Sequence, residues 1–230
     1  ALAGMKEGCW LAEISVKDGE RLARKTLNPL LGVVGGISIL GTSGIVRPYS
    51  HDAYIATIRI CVRSTRLSGF DKAVFCTGGR TSSLARTVLP EYPAISFICI
   101  GDFIAESLRS AREQGMTEAV VACMPGKLCK YAAGFANTHA HKVAQDMRLF
   151  LRTAELHAPL SGEARRSIRS CSSVRQALAM VPEEVHLSLF RDLAAEAARQ
   201  FSRHVPGLPV RFLISDFSGN LLLDLPPCHP

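Results

Sequence analysis

The eight cysteines, at positions 9, 61, 76, 99, 123, 129, 171 and 228, never stand as C-x-x-C. Zinc sites and thiol–disulfide motifs are read from such pairs, so their absence argues against both. Several cysteines instead lie within apolar runs, as in AVFC and SFICI, the setting of buried thiols in a reducing compartment. His139 and His141 have no cluster of further ligands around them, and no protein-bound metal is expected. Aromatic residues are few, at 7%, and the basic residues are scattered apart from Arg24-Lys25 and Arg165-Arg166. Without a basic stripe interleaved with aromatics, nucleic acid is not expected as a partner. No apolar run reaches the roughly 20 residues of a membrane span. The longest, around residues 30–41, is short and rich in glycine. The opening ALAGMKEG lacks the basic start and long apolar centre of a secretory leader, so a cytoplasmic protein is expected. The chain starts on Ala1 rather than a methionine, as a piece of a longer protein would.

What is present is a chain of 230 residues, 47% hydrophobic and 20% charged, with a net charge of +7. That is enough apolar material for a substantial core in one or two domains. The positive balance favours an anionic partner such as a small polycarboxylate or a nucleotide. The segment GVVGGISILGTSG, residues 32–44, comes close to a phosphate-binding loop. Such a loop needs a lysine after its second glycine to meet the phosphates, and Thr42 stands there instead. Nor does the segment contain G-x-G-x-x-G. An ATPase or simple dinucleotide site is therefore not read from it.

From residue 71 onward, short apolar runs alternate with helical patterns. DKAVFCTGG, AISFICIGD and EAVVACMPG read as strands, each followed by a helix. Such alternation predicts an α/β fold: a Rossmann-like, mostly parallel sheet with flanking helices over 71–230. A smaller α+β segment precedes it over residues 1–70, with a strand at 12–16, a turn at Asp18-Gly19, a helix over 20–27 and a longer one from His51 to Arg66. Asn137 and Thr138 are read as N-caps of a helix reaching Leu156, and Ser173 with Gln176 as a capping box. Pro182 suits a helix start. The chain is expected to close on a hairpin turning at Ser218-Gly219-Asn220, with PPCHP loose behind it.

In an open parallel sheet, ligands bind outside the carboxyl ends of the strands. Three such ends can be read directly: Thr77-Gly78-Gly79-Arg80, Gly101-Asp102 and Met124-Pro125-Gly126-Lys127. The first can present backbone amides at a helix start to an anion. Asp102 stands at the distance where Rossmann-like sites carry an acidic residue for ribose hydroxyls. Any one of these ends could be a tight turn and nothing more. Three in succession point to a nucleoside-bearing ligand.

The segment TLNPLLGVVGGISILGTSGIVRPYS resembles the hallmark of the cobalt-precorrin-5B C1-methyltransferases, the CbiD family. TGGR, ICIGDFIAESL and MPGKLCKYAAGFANTH are similar to later family segments in the same order. Ser43 stands where a threonine is common and keeps the hydroxyl. The resemblance also implies a further N-terminal domain with a TTGTCAAA-like segment, so that this chain corresponds to the C-terminal two-thirds of such an enzyme. It implies methyl transfer from S-adenosyl-L-methionine to ring carbon 1 of a cobalt-containing corrinoid precursor, which brings its own metal. Thr77, Gly78, Gly79, Arg80, Gly101, Asp102 and Gly126 are then expected around the methyl donor. Ser43, Arg47, Lys127, Asn137 and Thr138 are expected on the macrocycle, with His139 moving a proton near the ring. Residues 32–44 would form a low-bulk wall or a domain junction. The competing readings are a truncated, non-catalytic cofactor- or tetrapyrrole-binding module and a nicotinamide-dependent oxidoreductase.

Overall fold

The structure, a computed structural model, describes residues 11, 13–26, 29, 34–37, 50–138 and 145–228. The chain divides into two compact units, Ala1–Arg47 and Pro48–Pro230. In the first, helix α1 spans Gly19–Ala23 and is entered through Asp18, whose φ of 58° is left-handed. The expected turn at Asp18-Gly19 is present, with Gly19 N–H donating to Val16 O at 3.0 Å. The helix ends at Ala23 rather than at residue 27. Residues 13–16 form no strand: Ile14 and Val16 are exposed and meet no ladder partner among the described residues. Of the glycine-rich segment only 34–37 are described; Ser43 and Arg47 lie outside the described residues.

The second unit opens with α2, His51–Leu67, capped by Ser50, whose hydroxyl accepts from Ala53 N–H. Its buried residues Ile58, Cys61, Val62 and Thr65 recur at helical spacing and face the sheet. The chain then runs through β1 (Lys72–Cys76), α3 (Gly79–Val88), β2 (Phe97–Cys99), α4 (Ile104–Glu113), β3 (Glu118–Cys123) and α5 (Pro125–Ala132). Next come α6 (Met147–Glu155), α7 (Gly162–Ser170), α8 (Val174–Leu178), α9 (His186–His204), β4 (Val210–Ser215) and β5 (Leu221–Cys228).

The five strands order as β2-β1-β3-β4-β5, parallel except for β5. Val74 stands beside Val120, and Ala122 beside Leu213. Together with Cys76 these side chains pack with Ala85 of α3, with Leu89 just after that helix and with Phe97 on one face. The alternate residues go to the other face, where Phe201 of α9 stands between Tyr131 of α5, tilted to it at 5.4 Å, and Phe212 of β4, stacked on it at 5.9 Å. Both faces are covered, which is why the strands read as unbroken apolar runs. Each fully buried Phe or Leu contributes about 1.5–3 kcal/mol.

Two sequence expectations fail here. Asn137 and Thr138 are not helical, and the described helix that follows, α6, starts at Met147, where the Asp146 carboxylate accepts from Arg148 N–H and Leu149 N–H, both at 3.0 Å. A carboxylate at a helix N-terminus also meets the helix dipole, and Thr138 is drawn elsewhere, as described below. PPCHP is not loose as far as Cys228, because β5 carries both prolines and Cys228 pairs with Val210. An edge strand tolerates proline. Two steps along β4, Val210 to Phe212, face three along β5, Leu225 to Cys228, so the irregularity falls at the prolines.

Candidate functional site

Successive strands lie on opposite sides of β1: β2 on one flank and β3 on the other. Their carboxyl ends therefore part at a topological switch point, where open α/β sheets bind ligands.

At the end of β1, Thr77 N–H continues the ladder to Ala122 O at 3.2 Å. The buried Thr81 then stitches the turn, its hydroxyl accepting from Gly78 N–H at 3.1 Å and donating to Gly78 O at 2.9 Å. Gly78 has an extended backbone with φ 177°, and Gly79 opens α3. Neither conformation demands glycine. Packing does not demand it either, since a methyl group added at either residue would meet nothing within 4 Å. The two glycines keep open space beside the first turn of a ten-residue helix, where amide hydrogens and dipole favour an anion. Arg80 reaches away from this space, its Nη1 donating to Phe217 O at 3.2 Å in the β4–β5 turn. Arg175 stacks on the Phe217 ring at 4.2 Å. Beside this turn, Pro125, Leu178, His186, Phe190, Phe217 and Leu221 line a mainly apolar groove of about 630 Å³, within the range of small-molecule sites.

At the end of β2, Gly101 has a left-handed φ of 54°, and an added methyl would come within 3.5 Å of Tyr54 Oη. Tyr54 Oη donates to Cys99 O at 3.2 Å and so ties α2 to this strand end. Asp102 follows, and its carboxylate joins three segments. Its Oδ1 accepts from the Thr138 hydroxyl at 3.0 Å and pairs with Lys127 Nζ. Lys127 also donates to Thr138 Oγ1 at 2.8 Å, while Thr138 N–H donates to Asp102 O at 3.1 Å. Thr138 is fully buried, and the side chains of Lys127 and Asp102 are about three-quarters buried. On the next turn of α5, Lys130 Nζ donates to Thr138 O at 3.0 Å. Burial holds the Lys130 ammonium below the ordinary lysine pKa; the Lys127 charge adds to this and Asp102 opposes it. Gly126 accepts from Gln145 Nε2 at 3.1 Å through its carbonyl.

The structure thus brings Asp102, Lys127 and Thr138 into one hydrogen-bonded group, with Thr77, Gly78 and Gly79 at the end of the adjoining strand. Arg80 is turned toward the hairpin, Asn137 precedes the group, and His139 lies outside the described residues. Sequence reading passed over Thr81, Tyr54, Phe217 and Lys130. For Lys130 a signal existed: KLCK sets two lysines three apart, on one side of a helix.

Among the described residues no group of three or more His, Cys, Asp and Glu is placed to hold a metal ion. The described cysteines are free thiols. Burial pushes Cys76 and Cys129 up to about 12, helped by Cys99 in the first case and Asp146 in the second. Burial raises Cys123 as well. These are resting thiols rather than thiolate nucleophiles. Iodoacetamide at pH 8 should accordingly modify the exposed Cys99 first among the described cysteines and leave Cys76, Cys123 and Cys129 intact until denaturant is added. Mass spectrometry of the native protein checks this, and early alkylation of Cys123 would contradict it.

A mostly parallel sheet whose strand ends hold an open glycine turn and a lysine–aspartate pair defines a Rossmann-like α/β protein, with its candidate ligand site at the switch point. The chain belongs to the CbiD family, as its glycine-rich hallmark implied: the CbiD model matches residues 3–48 and the model of the CbiD C-terminal domain matches residues 137–224. Relatives named cobalt-precorrin-5B C(1)-methyltransferase include those of Picrophilus torridus, 36% identical over 210 residues, and Pelobacter propionicus, 36% identical over 247. The alignments cover 91% and 95% of this chain but 59% and 62% of those relatives. A third, from Paracidovorax citrulli, is 46% identical over 141 residues. This chain therefore spans about three-fifths of the length of the first two. No solved structure matches it, and no described helix is long and apolar enough to cross a membrane.

Proposed function

We propose that this chain forms the part of a cobalt-precorrin-5B C1-methyltransferase that binds the methyl donor, S-adenosylmethionine, and faces the corrinoid. The observation that carries this reading is the open glycine turn at the switch point, on a chain whose relatives bear that name. When bound, the sulfonium supplies an activated methyl group: the bond from sulfur to methyl breaks as the bond to ring carbon 1 forms, and sulfur keeps the electron pair. The protein's task is then to align the two reactants and keep water out.

Gly78 and Gly79 give the aminoacyl end of the donor close access to the amides of α3. Asp102 borders the ribose and holds Lys127 in place. Lys127, Asn137 and Thr138 face the macrocycle, whose carboxylate arms the net charge of +7 attracts. The apolar groove at Phe217 offers a wall for its flat ring. His139, Ser43 and Arg47, which lie outside the described residues, are proposed for the macrocycle from the family resemblance alone. The free thiols suit a reducing compartment such as the cytoplasm.

Because the chain spans only part of its relatives' length, binding is measured before turnover. Calorimetric titration with S-adenosylhomocysteine should give saturable heat with one site per chain, and NADPH should give none. Heat from NADPH alone would favour a nicotinamide enzyme. Heat from neither would overturn the reading for this chain.

A further inference from the structure

Lys130 is 5% exposed. An ammonium has three donors, yet among the described residues Lys130 meets one acceptor, the carbonyl of Thr138. It forms no ion pair there: Asp102, the one carboxylate of the cluster, pairs with Lys127. The segment that follows Thr138, HAHKVA at residues 139–144, contains no carboxylate either. Two lysines and one aspartate leave the cluster one positive charge in excess, beneath the ends of β2 and β3. Buried charges are ordinarily paired, because an unpaired one loses its hydration without compensation. Among the described residues, the charges that perturb Lys130 are those of Lys127 and Asp102.

We infer that Lys130 and Lys127 form a carboxylate-binding site, in which a ligand carboxylate supplies the missing negative charge, with Thr138 bridging the two lysines. Lys130 is then a specificity residue, since it distinguishes ligands that bring a carboxylate to this point from those that do not. The inference deepens the methyltransferase reading and rests on it for the identity of the ligand. On that reading the carboxylate is a side arm of the macrocycle; a donor carboxylate bound here instead would move the aminoacyl end away from Gly78 and Gly79, and the test separates the two.

The test compares wild type, Lys130→Met and Lys130→Arg. Methionine replaces a buried lone charge with an apolar chain of similar length, a change that proteins often tolerate well, and the melting temperature of each variant reports its folding. Sodium acetate, against sodium chloride at equal ionic strength, should raise the wild-type melting temperature, and Lys130→Arg should keep at least part of that rise. Lys130→Met should lose it.

If the carboxylate is the donor's, Lys130→Met weakens S-adenosylhomocysteine at least tenfold and leaves 5′-methylthioadenosine unchanged. If it is the macrocycle's, the same variant weakens cobyrinic acid and leaves its amidated counterpart unchanged. An acetate effect that depends on Lys130, with no binding of either ligand class, supports the site and rejects the methyltransferase reading. No acetate effect in wild type, or equal losses for ligands with and without a carboxylate, overturns the site.

Discussion

Asp102→Ala should lower the melting temperature by about 5–10 °C. Its Oδ1 accepts from Thr138 and pairs with Lys127, so removing it strands a largely buried ammonium and a buried hydroxyl together. Breaking a fully buried ion pair by deleting one partner costs about 3–5 kcal/mol. With the two side chains 25% and 26% exposed, about 2–3 kcal/mol is expected, and each kcal/mol moves the midpoint of a chain of this size by about 2–4 °C. Asp102→Asn keeps an oxygen for Thr138 but no charge for Lys127, and should lose less than alanine does. Lys127→Met in the Asp102→Ala background should recover much of the loss, because it removes the stranded charge. Differential scanning calorimetry of the four proteins checks the series. An Asp102→Ala midpoint within a degree of wild type would mean that the cluster holds nothing together.

Gly79→Ala should move stability and binding in opposite directions. Gly79 is helical and an added methyl would meet nothing within 4 Å. Alanine should therefore stabilise the fold by about 0.4–1 kcal/mol, by restricting the unfolded chain. The same methyl fills the space left open beside the first turn of α3. It should cost at least a factor of ten in affinity for S-adenosylhomocysteine, about 1.4 kcal/mol. Urea unfolding and calorimetric titration on the same sample read both quantities. Gly101→Ala is the contrasting case, since its left-handed φ makes the substitution strained whatever binds. A Gly79→Ala variant that is stabilised and binds as tightly as wild type would remove the donor from this turn.

Much of the second unit was legible in the residues. Strands covered on both faces are apolar throughout their buried stretch, which is why KAVFC and EAVVAC could be read directly past their charged first residues. The helix His51–Leu67 declared itself by the spacing of Ile58 and Val62. The candidate site was legible for a geometric reason: strands that run parallel bring their carboxyl ends to one edge of the sheet. The polar residues just past β1, β2 and β3 thus had to meet.

Local chemistry alone did not decide the rest. Thr138 and Asp146 are both good N-caps, and only the carboxylate of Asp102, 36 residues away in sequence, claims the hydroxyl of Thr138. Arg80 looked like a site cation, but its partner is a carbonyl 137 residues later. The KLCK spacing set Lys130 on the same helix side as Lys127, but it could not tell a buried lysine from a surface one, because burial depends on what Thr138 covers once it docks. The prolines of PPCHP are acceptable in β5 because that strand lies at the edge, and strand order is a property of the assembled sheet. The sequence by itself therefore determined the strands, their alternation with helices and the sheet edge on which the candidate site lies, since these follow from periodicity and from the shared direction of the strands. Only the tertiary structure decided which of the polar residues pair with one another, because those pairings depend on contacts between segments far apart in the chain.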